Sequence, residues 1–143
     1  MAQSHIISVG KGMLSYHGKQ VVSRAMYEKG RAFIGAAILV NQHKGNESVV
    51  LHLLCQGLEV VLKALLLAKN YDAYKPKLVK LGHNLVKVAA AARTATGLHI
   101  FTHGAHDELV QMNKFYSEHL LRYASNFDIF IDPSSHSIAH KSP

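Results

Sequence analysis

From Val49 to Ala68 the chain is almost wholly apolar, and its few polar residues, His52, Gln56, Glu59 and Lys63, recur at spacings of four, three and four. Those spacings keep them on one face of an α-helix, drifting only slightly over three turns. Four polar side chains at that density would be costly in a bilayer, so the stretch reads as a core helix and not as a membrane span. A core helix needs partners, and the rest of the chain supplies them in helical form.

Val22, Met26, Phe33, Ala37 and Val40 follow helical spacing, with Arg24, Glu28 and Arg31 on another face, which predicts a first long helix from about Lys19 to Gln42. Gly45 then gives a stop signal and Asn46 a capping side chain for the second helix, which runs to about Lys69. The two helices are expected to form a tight antiparallel hairpin. Residues 70–81 hold Tyr71, Tyr74 and Pro76 and read as a connector, because the proline forbids a continuous helix. Asn84 is placed to cap a third helix through the run Ala89 to Ala92, stopping near Gly97. A fourth helix, from about His106 to Ser125, lines up Leu109, Met112, Tyr116, Leu120 and Tyr123. Four amphipathic helices with short connections predict an all-α, antiparallel up-and-down bundle of four helices, or five.

The expected organisation is an N-terminal arm over residues 1–18, the bundle over 19–131 and a flexible Ser- and His-containing tail over 132–143. One domain fits 143 residues. The opening residues lack a basic leader followed by an apolar stretch, and the expected location is cytoplasmic. Cys55 is the single cysteine, so neither an intramolecular disulfide nor a cysteine-based zinc site can form, and it reads as a small buried apolar group.

The formal charge of +7, from 16 basic against 9 acidic residues, makes a polyanionic partner attractive. Gly10-Lys11-Gly12 is too short for a phosphate loop, and no cofactor is expected. His99, His103 and His106 sit at spacings of four and three, but Gly97 and Gly104 disturb a helical arrangement and no H-E-x-x-H pattern occurs, so no metal site is expected.

Three constellations carry possible chemistry. The stripe of Glu59 and Lys63 is either the solvated edge of its helix, with an exposed ion pair, or the lining of a groove where Lys63 meets a phosphate and Glu59 orients it. His83 beside the start of the third helix either shares an anion with the free N–H groups there or packs over the hairpin while Asn84 caps. Arg93 and His99, five residues between them, suit metal-free RNA cleavage: histidine takes the proton of a ribose 2′-hydroxyl and arginine holds the phosphate. Alternatively, Arg93 neutralises the end of the third helix and His99 lies in a turn.

The order of Glu59 and Lys63, then Lys80-Leu-Gly-His-Asn-Leu-Val-Lys87, then the segment from Asn113 to Arg122 and Tyr123 resembles the HEPN domain family, over roughly Tyr27 to Tyr123. The resemblance implies a helical bundle, often dimeric, of a kind found in bacterial toxin–antitoxin and defence systems. Ribonuclease members carry an Arg, usually followed by Asn, Asp or His, then four to six residues and a His. Arg93 and His99 match that spacing, with Thr94 after the arginine. Glu59, Lys63, His83, Asn84, Arg122 and Tyr123 match a subgroup with an E-x-x-x-K helix, a G-H-N-L turn and a final Arg-Tyr. That subgroup implies nucleotide binding or partnership with a nucleotidyltransferase-type protein. The expected function is therefore an RNA- or nucleotide-binding interaction module, as a homodimer and without a membrane, the alternative being a metal-independent endoribonuclease using Arg93 and His99.

Overall fold

The structure, a computed structural model, describes residues 14–119 and residue 121, and among these it is a helical bundle with no strand. Its helices are α1 (Tyr16–Gln42), α2 (Glu47–Lys69), α3 (Tyr71–Tyr74), α4 (Leu78–Leu81), α5 (Leu85–Thr96) and α6 (His103–Tyr116), with a 3₁₀ turn, Lys75–Lys77, between α3 and α4. The expected all-α class is what forms. The predicted arm and tail lie largely outside the described residues, as do Leu120, Arg122 and Tyr123.

Side-chain caps explain most helix starts. Ser15 accepts from the N–H of Gly18, so α1 begins at Tyr16, ahead of the expected Lys19 and with Gly18 inside its first turn. Asn46 accepts from Val49 N–H at 3.1 Å and starts α2. Thr102 accepts from Ala105 N–H, which brings the start of α6 forward to His103 from the expected His106. That helix ends at Tyr116 and not near Ser125, and His119 three residues on takes a left-handed backbone with φ +61°. At the other end of α5, Gly97 supplies the left-handed residue, φ +70°, that closes the helix. Within the connector, Pro76 sits in the first turn of the 3₁₀ segment, where its missing N–H leaves no bond unmade.

The hairpin of α1 and α2 forms as expected. It is antiparallel, because Lys19 pairs with Asp72 at 2.7 Å at one end while Gly30 faces Gly57 and Val61 near the middle. The fully buried positions of α1 are Ser23, Gly30 and Ala37, spaced by seven, so the hairpin interface is built from small side chains. α2 is the hub of the bundle. One face meets α1, and the other meets α5 and α6 across a core of Cys55, Leu62, Leu66, Leu85, Val88, Ala92, Leu109 and Tyr116. By length and composition alone α2 is apolar enough to cross a membrane. Here it packs on four other helices, α1, α3, α5 and α6, and its one carboxylate away from the helix start, Glu59, is 4% exposed.

Candidate functional site

The polar stripe of α2 faces the Gly82-His83 turn that precedes α5 and Tyr116 of α6. Glu59 Oε1 accepts from Lys63 Nζ at 2.7 Å, and Oε2 accepts from the hydroxyl of Tyr116 and lies 3.0 Å from Nδ1 of His83. An ionised carboxylate can only accept, so the Nδ1 of His83 carries the proton in this contact. Gln56 Oε1 also accepts from the Tyr116 hydroxyl, at 3.3 Å. His52 approaches the same ring, with centroids 5.9 Å apart. The side chain of Lys63 is 12% exposed, and its ammonium donates a second bond, of 2.6 Å, to the carbonyl of Gly82. Lys63 thereby ties the turn before α5 to α2. The solvated-edge reading of this stripe is excluded, since the pair is enclosed and not exposed.

Burial alone pushes the Glu59 carboxyl up. The hydrogen bonds from Lys63, Tyr116 and His83, with the Lys63 charge, outweigh that effect and hold the group below the usual glutamate value of 4.5. One helical turn before it, the Cys55 thiol is completely buried, and desolvation, reinforced by the Glu59 charge, pushes it up to about 12. It is an inert core thiol at neutral pH.

The turn at Gly82-His83-Asn84 joins this cluster to α5. Asn84 caps α5 by accepting from Lys87 N–H at 3.0 Å, and it accepts from Asn113 Nδ2 at 3.3 Å. Asn113 in turn accepts from Leu85 N–H at 2.7 Å. Two of the N–H groups at the start of α5 are thus taken by side chains, and His83 turns toward Glu59 and away from them. The sequence reading did not include Asn113 and Tyr116 as members of this cluster. Their signal was present: they lie three apart on the inward stripe of α6, where an unexplained asparagine among apolar residues calls for a partner.

Arg93 and His99 are brought together elsewhere, at the far end of α5. Arg93 Nη2 lies 3.4 Å from Nε2 of His99, both exposed. A guanidinium can only donate, so the contact places a bare Nε2 on His99 and its proton on Nδ1. The two side chains stand at the rim of a cavity of about 890 Å³ between α5 and α6. Val86, Ala89, Ala90, Ile100 and Phe101 form its apolar wall, and Thr94, Thr102, His103 and His106 its other polar part. Of the histidines weighed as metal ligands, His99, His103 and His106 share this cavity. Among the described residues no group of three or more His, Cys, Asp or Glu side chains is arranged to hold a metal ion.

Glu59, Lys63 and His83 therefore converge, Asn84 stands beside them as a cap, and Arg93 and His99 form a separate pair. α5 has 12 residues and is about 18 Å long, which sets the spacing of the two groups. Arg122 and Tyr123 lie outside the described residues. The molecule thus belongs, by architecture, to the all-helical bundles with a buried polar cluster and an open basic cavity. Comparison with protein-family models gives no match, and neither curated proteins nor solved structures give a significant one.

Proposed function

We propose that the protein is a HEPN-like RNA- or nucleotide-binding module whose ligand enters the α5–α6 cavity and sets a phosphate between Arg93 and His99. The observation that carries this reading is the convergence of those two side chains at 3.4 Å on the rim of a cavity with an apolar wall. A guanidinium offers a planar set of donors to phosphate oxygens, and His99 adds a second donor when protonated. The wall of Val86, Ala89, Ala90 and Phe101 suits the face of a base, and the N-terminus of α6, at Thr102 and His103, lines the same cavity. The net charge of +7 favours the encounter with a polyanion.

Exposed Leu98 and Ile100 flank His99, and Val21, Tyr27, Ile38 and Leu39 are exposed on α1, which supports a homodimer or a protein partner such as a nucleotidyltransferase-type chain. A cytoplasmic module of a toxin–antitoxin or defence system fits this reading. The alternative, metal-independent cleavage by Arg93 and His99 themselves, draws on the same convergence. It requires Arg93 to leave Nε2 of His99 for the phosphate, because the lone pair that would accept the ribose proton is the one Arg93 now occupies.

The test is fluorescence anisotropy with labelled single-stranded RNA over a salt series. Arg93→Ala is expected to weaken binding and to lower the slope of log K against log salt by about 0.7, the share of one phosphate contact on a single strand. An unchanged affinity and slope in Arg93→Ala would remove this cavity as the binding site.

A further inference from the structure

The connector between α2 and α5 is more basic than its structure needs. From Lys69 to Lys87 the chain carries five lysines and one acidic residue, Asp72, which Lys19 holds at 2.7 Å. Lys69 is accounted for, since it stands in the last turn of α2, where a cation is favoured. Lys75, Lys77, Lys80 and Lys87 are exposed, and among the described residues none of them enters an ion pair. Lys87 lies in the first turn of α5, the end of a helix that disfavours a positive charge, and no acidic side chain accompanies it there. The base beneath these lysines is fixed. Tyr74, Leu78 and Leu81 pack against the core, the side chain of Asn70 caps α3, and the Gly82 carbonyl accepts from Lys63. Lys77 lies over the Tyr74 ring, 5.3 Å from its centroid. Like charges held on a rigid base without counter-charges repel one another, and a polyanion relieves that repulsion.

This patch is continuous with the α5–α6 cavity. Lys87, Ala90 and Thr94 are exposed at spacings of three and four, so they share one face of α5, and Ala90 and Thr94 line the cavity. From Lys87 to Thr94 is about 10 Å along the helix axis. We propose that Lys75, Lys77, Lys80 and Lys87 form a track for a phosphate backbone that leads along α5 to Arg93, so that the ligand is a single-stranded RNA of several nucleotides and not a free nucleotide. The inference deepens the reading of the cavity as an RNA or nucleotide site and rests on it. A free nucleotide set at Arg93 leaves the four lysines unused, whereas a strand running in from the connector is neutralised by them while an unpaired base enters the cavity. A duplex keeps its bases stacked and paired, away from the apolar wall. A lipid surface fits less well, because Val79, 88% exposed, is the one exposed large apolar side chain between Lys69 and Lys87, and membrane docking takes a broader apolar face.

The experiment uses the full chain and anisotropy of labelled adenosine monophosphate and of labelled single-stranded RNAs of about 3 and about 12 nucleotides, over a salt series. The variant combines Lys75→Gln, Lys77→Gln, Lys80→Gln and Lys87→Gln, which leaves the core and the cavity side chains in place, and circular dichroism checks its fold. The parent is expected to bind the longer RNA more tightly than the shorter. The variant should lose about 10²–10³-fold in affinity for the longer RNA near about 0.1 M salt, and its slope of log K against log salt should fall by about 2–3, at about 0.7 for each phosphate contact. Its affinity for the mononucleotide should match that of the parent. Should the variant not fold, Lys80→Gln with Lys87→Gln carries the same test, with a fall in slope of about 1.4. A folded variant that keeps the parent's affinity and slope on the longer RNA overturns the track and leaves the cavity reading standing. Loss in that variant beside an unaffected Arg93→Ala upholds the lysine contact and removes the cavity reading. Equal affinity of the parent for the two RNA lengths overturns the proposal. So does capture of the parent, and not of the variant, on vesicles of phosphatidylcholine and phosphatidylserine without any binding of RNA.

Discussion

Gly30 and Gly57 bring α1 and α2 into backbone contact. A Cβ at Gly30 would stand 2.8 Å from Val61 N and 3.0 Å from Gly57 O, and one at Gly57 would stand 2.8 Å from Gly30 O and 3.0 Å from Ile34 N. Main-chain atoms cannot move aside as a flexible side chain can, so the crossing admits only glycine at both places. Ser23, Ala37 and Ala64 continue the same close approach on either side.

Gly57→Ala is therefore expected to destabilise the fold by about 1–3 kcal/mol, despite the better helix propensity of alanine. Thermal unfolding followed by circular dichroism would show a fall of about 2–4 °C per kcal/mol for a chain of this size. Gly35, around which nothing lies within 4 Å, is the control: Gly35→Ala should be neutral or slightly stabilising.

Glu59→Gln tests the polar cluster. Losing the carboxylate leaves the enclosed Lys63 ammonium without its counter-charge, and a cost of about 3–5 kcal/mol follows at neutral pH. Lys63→Met, by the same reasoning, strands Glu59 with only neutral donors and is expected to be comparably damaging. Chemical denaturation at pH 7 measures both.

The acid response has a definite sign. Glu59 is held below its ordinary value of 4.5 in the folded state, so its ionised form contributes stability fully above that value. The contribution is lost as pH falls through the lower, folded value. Stability of the parent should drop on acidification below about pH 5, while the drop in Glu59→Gln should be shallower over the same range. Equal slopes in the two proteins would refute the depressed carboxyl.

Cys55 is predicted to be silent toward thiol reagents in the native protein. It is 0% exposed and its thiol is pushed up to about 12, so neither access nor thiolate is available. Modification by a disulfide reagent should proceed only at the rate of unfolding, and it should become immediate in denaturant.

The helices were legible because their signals are local. Asn46, Asn84 and Gly97 cap or stop the elements they were expected to, and the spacing of apolar residues located α1, α2 and α5 to within a few positions. The fourth helix was misjudged at both ends. Thr102 captured the start ahead of His106, and the left-handed residue at His119 follows an end that no glycine or proline announces. The partners of the polar stripe were not legible, because Tyr116 lies 57 residues from Glu59 and His83 lies 24 away. Nothing in their local sequence specifies which face of α2 they meet.

The sequence by itself determined an all-helical chain, the hairpin of α1 and α2, a buried unreactive cysteine and a basic balance of charge. Helix formation, capping and burial of an apolar stripe depend on neighbours within a few residues, which a sequence displays. Only the tertiary structure decided that Glu59 and Lys63 are enclosed and not solvated, that Tyr116 and His83 complete their hydrogen bonding, and that Arg93 and His99 meet at the rim of a cavity at the other end of α5. Those relations depend on which helix faces pack together, and that choice is made by the fit of small residues at Gly30 and Gly57 and of large ones around Leu66 and Tyr116, distributed over the whole chain.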